Sequence, residues 1–290
     1  MSREPTKDVA SNVSTMVYGR ISAISYLNTA PLMWDFERGV ASQGFDISYT
    51  VPSQCAIELL EGRADIGIIP SAAYATVPGL VILPGVAIAA TRAVRSILLV
   101  SKKSIEQIRT MALDSSSLTS VALVRILFEK YWKTAPRFDS LPPDLERMLA
   151  QHDAALLIGD PALKVDRSKY ETWDLAEEWI RFTGKPFVFA FWAVTQAAAE
   201  RAPIDLAAIF QQSRDHGLEP RSLAAIAETW SVKLGMAKMD VIEYLTINIH
   251  YYLDAACLEG LQLFYRYAHE CNVIPSVPEL QFAHAKPALI

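Results

Sequence analysis

The groups in this 290-residue chain that could do chemistry are mostly hydroxyls and amides, gathered where strands run into helices. The densest set lies in MALDSSSLTSVALVRILFEKYW, where a strand ends at Asp114 and Ser115, Ser116, Ser117, Thr119 and Ser120 crowd the start of a long helix. Backbone N–H groups at a helix start, the positive end of the helix dipole and adjacent hydroxyls together suit a carboxylate or phosphate, with no lysine needed. A cap needs one hydroxyl, so five point to anion binding by Ser116, Ser117, Thr119 and Ser120. Three other junctions carry polar groups. ISYLNTAPLMW places Ser25, Asn28 and Thr29 in a loop before Pro31, a residue suited to a first helical position. LLEGRADIGIIPSAAYA places Ser71 after Pro70, where it can cap a helix or donate to a ligand. AALLIGDPALK places Asp160 before Pro161, where it can cap or accept from a substrate hydroxyl.

Other chemistries find little support. The five histidines, His152, His216, His250, His269 and His284, are scattered without metal-ligand spacing. There is no nucleophile elbow, phosphate-binding loop or dinucleotide glycine fingerprint. The expectation is therefore that neither a metal nor an organic cofactor is used. With 27 Lys plus Arg against 32 Asp plus Glu, the net charge of −5 argues against a non-specific nucleic-acid binder. Cys55, Cys257 and Cys271 are distant and odd in number, as reduced thiols would be. Residues 1–16 are polar and lack an apolar signal core, no window approaches ~18 consecutive apolar residues, and a cytoplasmic location is expected.

Positioning these groups requires alternating elements. Strands are expected at Arg20–Ser25, Phe45–Val51, Asp65–Ile69, Val94–Ser101, Thr110–Asp114, Ala154–Ile158 and Phe187–Val194, each apolar and bounded by Gly, Pro, Ser or Asp. Helices are expected between them at Pro31–Arg38, Ser53–Glu61, Leu118–Trp132, Pro143–Ala150 and Leu175–Thr183. Such alternation gives an α/β fold whose sheets are covered on both faces, with ligands bound beyond the carboxyl ends of strands. From about Thr195 the pattern turns helical: Gln196–His216, with Gly217 as a left-handed terminator, then Arg221–Leu234, Met239–Leu253 and Ala256–Asn272.

SYLNTAPL, EGRADIGIIPSAAY, VRSILLVS, DSSSLTSVAL, LLIGDPAL and TGKPFVFAFW occur in this order over about residues 18–272. As an ordered set they resemble the chorismate dehydratase family of the futalosine route to menaquinone. The resemblance implies a two-lobed fold like the type II periplasmic binding proteins, with lobe one from 17–100 and 195–290, lobe two from 101–194, and Val94–Ser101 and Phe187–Val194 as the crossing strands. Residues 1–16 are expected to be a loose tail. It implies elimination of water from chorismate, a dianion, to give 3-[(1-carboxyvinyl)oxy]benzoate. Aromatisation drives that reaction, which suits motifs poor in His and Glu. Asn28 is then expected to orient the departing hydroxyl, with Ser25, Ser71, Ser96, Ser116, Ser117, Thr119, Ser120 and Asp160 binding substrate. Arg95 could hold a carboxylate or form a structural ion pair. The family's tendency to Gly-x-Val-x-Ser is replaced here by TRAVRS, which leaves the roles of Arg92 and Arg95 open, and the final PSVPELQFAHAKPALI has no family counterpart. A related lyase, the 1,4-dihydroxy-6-naphthoate synthase, and a non-catalytic carboxylate-binding protein are the alternatives; DSSSLTS and IGDPAL favour the dehydratase.

Overall fold

The computed structural model describes residues 18–39, 41 and 44–284; the expected tail at residues 1–16 lies outside them. Among the described residues, ten strands form two five-stranded mixed sheets: β1 (Gly19–Ile24), β2 (Phe45–Thr50), β3 (Ile66–Pro70), β4 (Leu80–Ala90), β5 (Ile97–Ser101), β6 (Thr110–Asp114), β7 (Arg137–Leu141), β8 (Ala154–Ile158), β9 (Glu171–Asp174) and β10 (Phe187–Thr195). The first sheet has the order β2-β1-β3-β10-β4 and the second β7-β6-β8-β5-β9. In the first, β1 runs parallel to β2 and β3, and β10 is antiparallel to β3 and β4. In the second, β6 runs parallel to β7 and β8, and β5 is antiparallel to β8 and β9. The two sheets thus repeat one plan, three parallel strands followed by an antiparallel one, in a two-lobed α/β architecture.

β5 pairs only within the second sheet and β10 only within the first, so neither strand spans both. The chain passes between sheets at residues 91–96 and 184–186. The first passage is tightly held. Arg95 has φ 64°, and the Asp174 carboxylate accepts from the N–H groups of Val94 at 3.1 Å and Arg95 at 2.6 Å. The strand expected at Val94–Ser101 therefore begins only at Ile97.

β4, β7 and β9 were not evident from the sequence. β4 contains Pro84–Gly85, which reads as a turn, yet β4 is a sheet edge, where a proline costs no ladder bond. The exposed carbonyls there are taken by the helix at Leu206–Gly217: Gln211 donates to Pro84 O at 2.9 Å and Arg214 donates to Gly85 O. The long helix expected at Gln196–His216 is two, Gln196–Arg201 and Leu206–Gly217. Pro203 forces the break, and Asp205 caps the second piece through Ala208 N. Gly217 is not left-handed. It is small because the Pro31 carbonyl crosses it so closely that a Cβ would lie 2.0 Å from that oxygen. Met239–Leu253 is likewise shorter, ending after a widened turn at Tyr244–Asn248, because His250 pairs with Ala89 beside β4.

The core is continuous across both sheets, built on Trp179, Trp192, Phe187, Phe191, Phe210 and Phe264, all fully buried. The helix Ala255–Glu270 packs on β10 of the first sheet and on the helix starting at Thr119, which follows β6 of the second.

Candidate functional site

The two sheets face one another across a cleft lined by Tyr26, Asn28 and Thr29 from the loop after β1, Ser117, Leu118, Thr119 and Ser120 from the loop after β6, and Ile158–Gly159 from the end of β8. Ile88, Ile97, Phe189 and Ala190 form its apolar walls. All three polar loops follow the carboxyl ends of parallel strands, the expected place for a ligand in an α/β sheet. No residue lining the cleft is charged at neutral pH. Its polar side is made of hydroxyls, one amide and backbone.

Buried carboxylates shape the loops. Asp114, at the end of β6, accepts from Ser116 N at 2.9 Å, Ser116 Oγ at 2.6 Å and Ile158 N at 3.3 Å. It therefore ties the hydroxyl loop to the end of β8, and burial raises its carboxyl above the usual range. Ser117 Oγ accepts from Ser120 N at 3.3 Å.

Three backbone N–H groups donate directly from one sheet's loops to the other's. Leu27 N donates to Asp160 Oδ1 at 3.0 Å, Ala72 N to Thr119 Oγ1 at 3.1 Å, and Ser53 N to Ser116 O at 3.1 Å. The Tyr26 ring lies on Gly159, and its hydroxyl, raised by burial, meets Ser116. The free volume between these loops is about 50 Å³, against about 300–1,000 Å³ for a typical ligand pocket.

The expected residues separate into two groups. Asn28, Ser117, Thr119 and Ser120 come together on the cleft. Ser116 lies just behind it on Asp114, and Asp160 reaches across its rim to Leu27; burial raises the Asp160 carboxyl, with Lys233 and Lys164 opposing. The others lie elsewhere. Ser25 is exposed and lines a neighbouring hollow of about 140 Å³ with Arg38, Tyr49 and Trp230. Ser71 Oγ donates to Val188 O at 2.8 Å, and Ser96 Oγ accepts from Tyr244 at 2.8 Å. Both serines are fully buried. Arg92 and Arg95 do not line the cleft; Arg95 O accepts from Arg167 at 3.0 Å. Tyr26 and Gly159 are the contributors that sequence reasoning missed. The signal for Gly159 was a glycine between a strand and a proline-started helix, a place for positive φ, and the signal for Tyr26 was its position one residue after the β1 loop begins. A larger hollow of about 420 Å³ lies away from the cleft, beside β4 at Gln196, Ile204 and Phe282, and contains none of the expected residues.

No helix among the described residues is long and apolar enough to cross a membrane. The chain is 29% identical over 257 residues to the chorismate dehydratase of Thermus thermophilus, covering 82% of this chain and 91% of that protein. Among solved structures it is similar to protein AF1704 of Archaeoglobus fulgidus, with TM-score 0.68, 15% identity, and coverage of 88% of this chain and 98% of that one. It is also similar to the periplasmic aliphatic sulphonate binding protein of Escherichia coli, with TM-score 0.59, 15% identity, and coverage of 95% and 96%. The second likeness shows a fold like that of a periplasmic binding protein. A family model described as menaquinone biosynthesis matches residues 19–270, and the chain belongs to that family.

Proposed function

We propose that the protein is a chorismate dehydratase, a carbon–oxygen lyase that eliminates water from chorismate to give 3-[(1-carboxyvinyl)oxy]benzoate. The observation that carries this reading is the cleft itself: hydroxyl, amide and backbone groups between two lobes, with no charged side chain lining it. Such a site can bind a dianion by hydrogen bonds, each charge-assisted contact contributing about 1.5–3 kcal/mol. It offers no Lys, His or carboxylate on its walls to act as a strong general base.

The reaction suits that limitation. The C4 hydroxyl leaves with its bonding pair, the C3 hydrogen leaves as a proton, and the ring becomes aromatic. Asn28, from the β1 loop, donates to the departing hydroxyl. One of the substrate's own carboxylates, held beside the ring, accepts the C3 proton. Ser117, Thr119 and Ser120 hold a carboxylate at the start of the helix that begins at Thr119. The closed cleft excludes water, which strengthens each of these contacts. We assign the two sheets to two lobes that part and close about residues 91–96 and 184–186. The cytoplasm is the proposed location, supported by the free thiols Cys55, Cys257 and Cys271.

The test is incubation of the full-length protein with chorismate, followed by proton NMR of the mixture. Appearance of the meta-substituted aromatic ring with one equivalent of water eliminated supports the reading. Chorismate bound but unchanged would replace it with a carboxylate-binding protein.

A further inference from the structure

Away from the cleft, the turn that leads into the helix Ala255–Glu270 gathers three donors of different chemistry. His250, Asp254 and Cys257 each present one ligand atom, and the imidazole nitrogen, carboxylate oxygen and thiol sulfur all lie within 4.8 Å of one another. The sequence hid this group because its spacing, four residues and then three, is not that of the usual zinc motifs. The fold supplies what the spacing lacks. His250 is fixed in an extended backbone by Ala89, giving and taking hydrogen bonds of 2.8 and 2.9 Å. The chain then turns, and Asp254 caps the helix through Cys257 N at 2.9 Å. His250 and Cys257 are thereby brought to either side of the same carboxylate, whose Oδ2 sits 2.8 Å from His250 Nε2.

We propose that His250, Asp254 and Cys257 form a binding site for a zinc-class divalent ion, with solvent as the fourth ligand. Nitrogen, oxygen and sulfur are the donors zinc takes, at roughly 2.0–2.3 Å, so donors around a tetrahedral ion stand about 3.3–3.8 Å apart. The present arrangement needs an adjustment on the order of 1 Å. That can come from the side chains of His250 and Asp254, which are partly open to solvent, while Cys257 is covered and fixed. Among the described residues this is the one group of three His, Cys, Asp or Glu donors so placed. Its consequence is structural. The ion joins the residue paired to β4, just before the passage at 91–96, to the first turn of the helix that packs on β10 and on the helix starting at Thr119. The site is independent of the chorismate reading, because no cleft residue takes part.

The experiment is titration of the full-length protein, stripped of metal by chelator and exchanged into clean buffer, with Co²⁺ and then Zn²⁺. Expected are a near-ultraviolet thiolate-to-cobalt band saturating at one equivalent, its loss on adding Zn²⁺, and a higher Tm with Zn²⁺. Cys257→Ser removes the band. His250→Gln, which keeps a hydrogen-bonding side chain at a partly exposed position, weakens binding about tenfold or more, as loss of even an outer-sphere partner does. Its circular dichroism should match that of the parent. Absence of the band at millimolar Co²⁺, or a band of equal strength in Cys257→Ser, overturns the proposal.

Discussion

Adding one methyl group at Gly159 tests whether the lobes are held together as described. Gly159 has φ +61°, and a Cβ there would lie 2.7, 2.8 and 3.1 Å from three ring carbons of Tyr26 across the cleft rim. Two costs follow from Gly159→Ala. The left-handed backbone conformation costs a non-glycine residue about 1–2 kcal/mol. The Tyr26 ring must also retreat, carrying with it the loop that places Asn28. For a chain of this length an unfolding entropy of roughly 0.6 kcal/mol/K converts about 1–2 kcal/mol into a fall in Tm of about 2–3 °C. Activity should suffer much more, since a misplacement on the order of 1 Å costs about a hundredfold in a well-oriented reaction. The assay is calorimetry together with kcat/KM for chorismate in Gly159→Ala, Tyr26→Ala and the double variant. If the clash is real, the stability effects of the two substitutions are not additive, because removing the ring relieves the part of the alanine's cost that is steric. Strict additivity, or a Gly159→Ala enzyme with normal kcat/KM, would refute the packing of Tyr26 on Gly159 as the element that seats Asn28.

Asn28→Asp preserves size but adds charge beside a dianion; kcat/KM should fall about tenfold or more while Tm stays near the parent value, and near-normal turnover would remove Asn28 from the mechanism. Thr119→Val keeps the shape but leaves Ala72 N without its partner across the cleft, which costs about 1–3 kcal/mol of stability; urea denaturation reads it, and weakened substrate binding by calorimetry reads the lost hydroxyl. Asp153, whose carboxyl is lowered to about 2 by Lys103 and by the N–H groups of Arg109 and Thr110, contributes stability that is present above the ordinary carboxylate range and lost as pH falls through its folded value. Asp153→Asn should therefore flatten the acid limb of a Tm–pH curve between about pH 4 and 2. Asp160 has the opposite sign: burial raises its carboxyl, so it favours the fold increasingly as pH falls through its folded value toward the ordinary carboxylate range, and Asp160→Asn should remove that gain when the two proteins' Tm–pH curves are subtracted.

The hydroxyl loop was legible because chemistry and local structure coincide there: a strand, an aspartate, a run of serines and a helix all lie within one stretch of chain. Asn28 was legible for the same reason. The positions of Ser71 and Ser96 were not, because a serine on the cleft and a serine bonded to Val188 O or Tyr244 differ only in partners more than a hundred residues away. β4 was hidden by Pro84–Gly85, whose tolerance depends on lying at an edge and on Gln211 and Arg214 arriving from a distant helix. Tyr26 reads as a packing residue, and it is one; its importance comes from packing on the opposite lobe.

The three bonds that cross the cleft carry a consequence for affinity. Each pairs a backbone N–H of one lobe with an oxygen of the other, so bringing the lobes together satisfies three backbone donors. Under the proposed mechanism, parting the lobes to admit a ligand gives up these bonds, and the net gain on binding is what remains after that cost. Observed affinity is further lowered by the fraction of molecules open at any moment. A scavenging receptor would be poorly served by such a cost. A catalyst is served well, because ground-state binding that is held down leaves more of the interaction energy to appear only as the transition state forms.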